Sequence, residues 1–131
     1  MSALKALTMR GVILFAHGSR DARWREPMEA VALRVAERDP DIVVSCAYLE
    51  MMTPDLPSAT LALMARGATS IRVVPMFLGI GKHLREDLPE LLAALRNAHP
   101  GMTFTLDMAV GEQPAVIELL ADIASRPHDD R

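Results

Sequence analysis

Four apolar runs alternate with four stretches of helical periodicity, and no other feature constrains the fold as strongly. The runs fall at 11–16, 42–48, 70–77 and 102–109, and the helical stretches at 26–38, 55–66, 87–98 and 112–125. Each helical stretch repeats apolar residues at the spacing of one buried stripe. The stripes read Met28, Val31, Ala32, Val35; Leu56, Thr60, Leu63, Met64; Leu88, Leu91, Leu92, Leu95; and Val116, Leu119, Leu120, Ile123. Alternation of this kind builds βαβ units, hence a parallel sheet with right-handed crossovers.

Runs one and three are continuously apolar, as expected of central strands covered on both faces. Run four alternates Met102, Phe104, Leu106 and Met108 with Thr103, Thr105 and Asp107, which suits an edge. The expected fold class is α/β. It is a flavodoxin-like, three-layer domain with a four-stranded parallel sheet of order 2-1-3-4 and helices on both faces. Strands one and three are then neighbours at the topological switch point, where such sheets gather ligands at the carboxyl ends of their strands.

Prolines mark the helix starts. Pro27, Pro54, Pro57, Pro89 and Pro114 all fall near a first turn, where a missing N–H costs little. Thr53 is the expected N-cap before Pro54, and Asp87 before Leu88-Pro89. Gly67 and the turn His99-Pro100-Gly101 close two helices. These placements leave two long loops at the carboxyl edge, His17 to Glu26 and Leu78 to Glu86. Such connections are usually shorter, and excess length there points to function.

The 131 residues suit one domain, 1–131, with a core over 11–125 and a polar tail over 126–131. No apolar run is long enough to span a membrane, and Met1 to Met9 lacks a signal-peptide pattern, so the expected location is cytoplasmic. A single cysteine, Cys46, excludes an intrachain disulfide framework and a cysteine-based zinc cluster. It lies in an apolar run, which fits a buried, inert thiol. A net charge of −3 without a basic stripe argues against nucleic acid. The charge is nevertheless uneven. Arg20, Arg23 and Arg25 follow the first strand, and Lys82 and Arg85 follow the third, which favours an anionic small ligand.

Within those loops stand two histidines, His17 and His83, and Glu50 emerges at the same edge from the second strand. Adjacent strands lie about 4.8 Å apart, so three neighbouring strand ends can surround one small pocket. Two imidazoles and a carboxylate there suggest a metal site or a general-base pair. Gly79 and Gly81 allow the second loop to bend or to bring backbone close to a ligand. Trp24 is either a stacking surface or, the favoured reading, packed against its own helix. Met51-Met52 and Met76 read as core filler or interface. His99, at a helix C-terminus, and His128, in the tail, receive no role.

At these motifs the chain resembles the short sirohydrochlorin chelatases, the CbiX/SirB type of class II chelatase. The matching pieces are Phe15-Ala16-His17-Gly18-Ser19-Arg20, Ala47-Tyr48-Leu49-Glu50, Val74 through His83, and Asp87-Leu88-Pro89. The order of elements and motifs matches over residues 11–125. The resemblance implies a lyase that inserts Co²⁺ or Fe²⁺, with Ni²⁺ also chemically suitable, into the polycarboxylate tetrapyrrole sirohydrochlorin on the cobalamin or siroheme route. It implies metal ligation by His17 and His83, and a catalytic role for both together with Glu50. Ser19, Arg20, Gly79, Gly81 and Lys82 become candidates for holding the substrate. No permanently bound cofactor is implied, since the metal is a substrate. A homodimer is implied, because longer members carry two such domains. The segment Asp21 to Arg25 matches the family only loosely and takes no role from it.

Three other readings share the motif or the fold. A histidine phosphatase also places a His-Gly after its first strand, but it needs an arginine beside the histidine, and here Ala16 stands there. A non-catalytic metal or tetrapyrrole carrier uses the same site, and the sequence separates it poorly from an enzyme. FMN binding lacks its phosphate cradle in the first loop.

Overall fold

The computed structural model describes residues 8–128. Four parallel strands, β1 (Met9–Ala16), β2 (Ile42–Tyr48), β3 (Ala68–Pro75) and β4 (Thr103–Leu106), pair in the order β2-β1-β3-β4. Helices α1 (Glu26–Arg38), α2 (Leu56–Ala65), α3 (Lys82–Ala98) and α4 (Pro114–Ala124) connect or follow them. The expected strand order and α/β class are therefore observed.

β1 is the axis of the sheet. Its Leu14 stands opposite Cys46 of β2 on one side and Val74 of β3 on the other. Strand alternation sends Ile13 and Phe15 to one face and Leu14 and Ala16 to the other. On the first face Ile13, Phe15, Ile71, Val73 and Phe104 meet Leu56, Ala59 and Leu63 of α2 and Leu88, Leu92 and Leu95 of α3. On the second face Leu14, Ala16 and Tyr48 meet Met28 and Ala32 of α1. Full burial of a large apolar side chain stabilises by roughly 1.5–3 kcal/mol, so the first face, with far more such residues, supplies most of the core.

Several boundaries differ from expectation. α3 starts at Lys82 with Gly81 as its N-cap, a turn earlier than Asp87, and Pro89 lies inside it. The interior proline costs roughly 3 kcal/mol, but Leu84 packs on the core ahead of Leu88, Leu91, Leu92 and Leu95 and extends the stripe through it. Thr53 and Pro54 precede α2, whose N-cap is Asp55, accepting from Ser58 N at 2.9 Å. β4 stops at Leu106, because Asp107 turns to a bidentate contact with Arg72 and Met108 is exposed. The stripe expected on α4 is not buried: Leu119, Leu120 and Ile123 are exposed and Val116 is half-buried, while Ile117 beside them and Val31 of α1 are exposed too. The expectations for Met1 to Leu7 and for tail residues 129–131 lie outside the described residues.

Hydrogen bonding from Ser58 holds the Asp55 carboxyl below the usual carboxylate range. A carboxyl depressed by folding stabilises the fold above its unfolded value, about 3.9, and loses that effect as pH falls through the folded value. Asp55→Ala should lower Tm at neutral pH, and Asp55→Asn, which still caps, should lower it less. Thermal scans from pH 7 down to pH 3 should show the wild-type advantage over Asp55→Ala shrinking at the acid end.

Candidate active site

The ladder between β1 and β2 continues past the strands. Leu49 N–H donates to Ala16 O at 2.9 Å and Glu50 N–H donates to His17 O at 3.0 Å. Gly18 makes this approach possible: its φ is +102°, and a Cβ there would lie 1.9 Å from Glu50 O. Only glycine meets both conditions. The result sets His17 Nε2 3.4 Å from Glu50 Oε1.

Both side chains remain about half exposed, at 52% and 51%. An exposed pair of this kind contributes about 0–1 kcal/mol, too little for a structural role to explain it. His17 Nδ1 lies 3.4 Å from Gly18 O. With the proton on Nδ1, Nε2 presents a lone pair beside a carboxylate, an arrangement that attracts a proton or a cation.

On the other side of β1, Met76 N–H donates to Phe15 O at 2.7 Å, and the Phe77 ring packs edge-on against Phe15 at 6.4 Å. The chain then runs from Met76 to Gly81 before α3 begins. His83 is thus the second residue of a helix rather than part of a long loop, and it is exposed beside Lys82. Among the described residues no group of three or more His, Cys, Asp or Glu is placed to hold a metal ion together. The fold brings His17 and Glu50 into contact and leaves His83 at the exit of the neighbouring strand.

The loop residues divide by what they already bind. Ser19 Oγ accepts from Asp21 N at 3.1 Å and shapes the turn. Asp21 caps the short 3₁₀ turn Ala22–Arg25 and pairs with Arg23 at 3.0 Å, which holds the Asp21 carboxyl below its ordinary range. Arg25 lies over the Tyr48 ring at 5.8 Å. Two of the three arginines after β1 therefore have protein partners, while Arg20 is exposed. At Gly79 and Gly81 a Cβ would meet nothing within 4 Å, so their backbone faces open space. Arg85 ties that segment down by donating to Ile80 O at 3.2 Å.

The first loop also borders a cavity of about 620 Å³, lined by Trp24, Pro27, Met28, Met76, Phe77 and Val110 among others. Trp24, 41% exposed, forms one of its walls instead of being absorbed into its own helix. Its place as the lone tryptophan in a basic loop is the only sequence signal for this wall, and that signal does not fix where the ring points. Cys46 is half-buried, and burial pushes its thiol pKa up, in keeping with an inert role. His99 is the C-cap of α3, its ring 6.3 Å from Phe104.

Known proteins resemble this chain in sequence and in fold. The family model described as CbiX matches residues 11–126. A sirohydrochlorin cobaltochelatase of Methanococcoides burtonii is 31% identical over 118 residues, which is 86% of this chain and 89% of that protein. Another, of Methanocaldococcus jannaschii, is 34% identical over 91 residues, or 70% of this chain and 64% of that protein's length. The crystal structure of a putative cobalamin (vitamin B12) biosynthesis CbiX protein from Marinobacter aquaeolei VT8 superposes with a TM-score of 0.75 at 34% identity, covering 88% of this chain and 93% of that one. The sirohydrochlorin chelatase SirB from Bacillus subtilis subspecies spizizenii, in complex with cobalt, superposes with a TM-score of 0.67 at 27% identity. There the match covers 88% of this chain but only 52% of SirB, so the chain spans about half of that longer protein. With its model matched over residues 11–126, the chain belongs to the CbiX family.

Proposed function

We propose that this protein inserts a divalent metal ion into sirohydrochlorin, with cobalt the first candidate and iron a second substrate, and that it works as a homodimer. The observation that carries the reading is the His17–Glu50 pair, 3.4 Å apart and half exposed at the end of the central strand. Membership of a family whose relatives include named cobaltochelatases supports the choice of metal. The match to about half of the longer SirB chain supports two copies acting together.

The chemistry required is modest. The incoming metal displaces two pyrrole N–H protons, and those protons need an acceptor. A neutral imidazole, with a reference pKa of about 6.5, ligates a metal and accepts a proton near neutral pH. Glu50 beside His17 neutralises cation charge and stabilises the imidazolium that forms on proton transfer. Imidazole suits cobalt, iron and nickel alike. Few protein ligands are an advantage here, because a closed four-ligand site would trap the ion instead of passing it on. His83 at the start of α3 offers a second ligand from the opposite side of β1. Arg20 and Lys82, both exposed at the same edge, are placed to meet ring carboxylates. Ser19, Gly79 and Gly81 shape the two segments on which those residues stand. The metal is a substrate in this scheme, and no resident cofactor is required.

Metal insertion is followed by the change in absorbance when Co²⁺ or Fe²⁺ is added to sirohydrochlorin and enzyme. His17→Ala, His83→Ala and Glu50→Gln should each lower the enzyme-dependent rate, by about 100-fold for His17→Ala if it is the principal proton acceptor. Their unfolding free energies should stay within the small range of exposed substitutions, about ±0.5 kcal/mol. Rates that match wild type in the doubly substituted His17→Ala, His83→Ala protein would contradict the proposal and favour a carrier. Gly18→Ala, whose methyl collides with Glu50 O, should lose insertion activity even though it removes no candidate catalytic group. Normal activity in that variant would show that the His17–Glu50 juxtaposition is dispensable.

A further inference from the structure

Trp24, the lone tryptophan, belongs to the short 3₁₀ turn Ala22–Arg25, in which no residue is buried. The turn is nevertheless pinned on both sides of the indole. Before it, Trp24 N–H donates to Asp21 O at 3.0 Å, and the Asp21 carboxylate holds Arg23. After it, the Arg25 guanidinium lies 5.8 Å from the centre of the Tyr48 ring, within the range of a cation–π contact. Tyr48 is itself buried at the end of β2. A large apolar ring is thus held exposed by polar anchors, although burying it would stabilise the fold.

The cavity that Trp24 borders is fixed on its other sides as well. Met76 N–H donates to Phe15 O, and the Phe77 ring packs on Phe15. Val110 precedes Gly111, whose N–H donates to Phe77 O at 2.9 Å. A Cβ on Gly111 would lie 1.9 Å from Leu78 O, so this close approach needs glycine. Pro27 and Met28 supply the α1 side. The two charged residues of the lining, Asp21 and Arg23, are paired with each other. The 620 Å³ space therefore offers preformed apolar and aromatic walls without an unpaired charge. Positive charge without a protein partner stands instead at Arg20 and Lys82, on the two segments that leave β1 and β3, among the described residues. The β1–β3 register sets Met76 level with Ala16, the residue before His17, so the cavity and the proposed metal site share one strand end.

An occupant that fits has a flat apolar face and anionic groups at its edge. We infer that Trp24 is a specificity-determining residue: its indole stacks on the tetrapyrrole and reads the flatness of the ring. A conjugated macrocycle is then bound more tightly than a puckered, methylene-bridged one with the same carboxylates. Arg20 and Lys82 do not make that distinction, because both rings carry the same charges. Stacking does, because a flat ring meets the whole indole face and a puckered ring only part of it. Arg25 and Tyr48 are positioning residues that hold the indole in place. The inference rests on the tetrapyrrole substrate proposed above, but not on metal insertion, and its first test needs no metal.

An oxidised polycarboxylate porphyrin and the corresponding reduced porphyrinogen, the latter kept under nitrogen in the dark, are each titrated calorimetrically into the full chain. Wild type should bind the flat ring about 10-fold tighter, the scale of one good aromatic contact. Trp24→Leu should abolish that preference by weakening binding of the flat ring, and Trp24→Phe should keep part of it. Arg25→Gln should also reduce the preference, and Arg25→Lys, which returns a cation to the Tyr48 ring, should restore part of it. In the insertion assay Trp24→Leu should raise KM more than it lowers kcat. Equal affinity of wild type for the two rings, or an unchanged preference in Trp24→Leu, would overturn the inference and leave metal insertion standing. Failure of wild type to bind either ring would overturn the inference and the tetrapyrrole substrate together.

Discussion

The structure depends on β1 being paired on both sides. Its amides and carbonyls bond to β2 and β3 along its whole length, and the bonding runs on past Ala16 to Glu50 and from Phe15 to Met76. Parallel pairing fixes register to the residue, because a slip by one would turn Ile13 and Phe15 away from the core. The same register that buries those side chains therefore sets where His17 and Glu50 emerge. Gly18 extends the constraint by one further residue, at the place where any side chain would push the two backbones apart.

Stability and function draw on different residues. The face covered by α2 and α3 holds most of the buried apolar side chains, and none of the site residues belongs to it. His17, Glu50 and His83 are exposed and contribute little to folding. The sheet presents them without depending on them, which is what the proposed binding and release of a cation requires. The second face is only half covered, by α1, and its open part adjoins the loops of the site.

Much of this was legible in the residues. Apolar runs and stripes located every strand and helix, and the contrast between the continuous runs and the alternating fourth one ordered the sheet. Neighbouring strand ends pointed to His17, Glu50 and His83 around one pocket, and the structure brings the first two into contact. Other features were hidden for physical reasons. Proline at a helix start and proline tolerated within a helix look alike in sequence, so Pro89 concealed the first turn of α3 and made His83 look like a loop residue. Asp55 and Thr53 are both good caps, and only the fold of the preceding segment decides between them. The stripe on α4 was correctly periodic, but periodicity alone does not say whether the fold covers it.

The carboxyl end of β1 is the proposed place of metal handling. Crystals soaked in Co²⁺ and measured at the cobalt absorption edge test this most directly, because anomalous scattering locates the ion independently of activity. The expected peak lies at ligand distance from His17 Nε2, on the side facing Glu50, and disappears in His17→Ala. A peak elsewhere, at Cys46 or His99 for example, with none at His17, would contradict it.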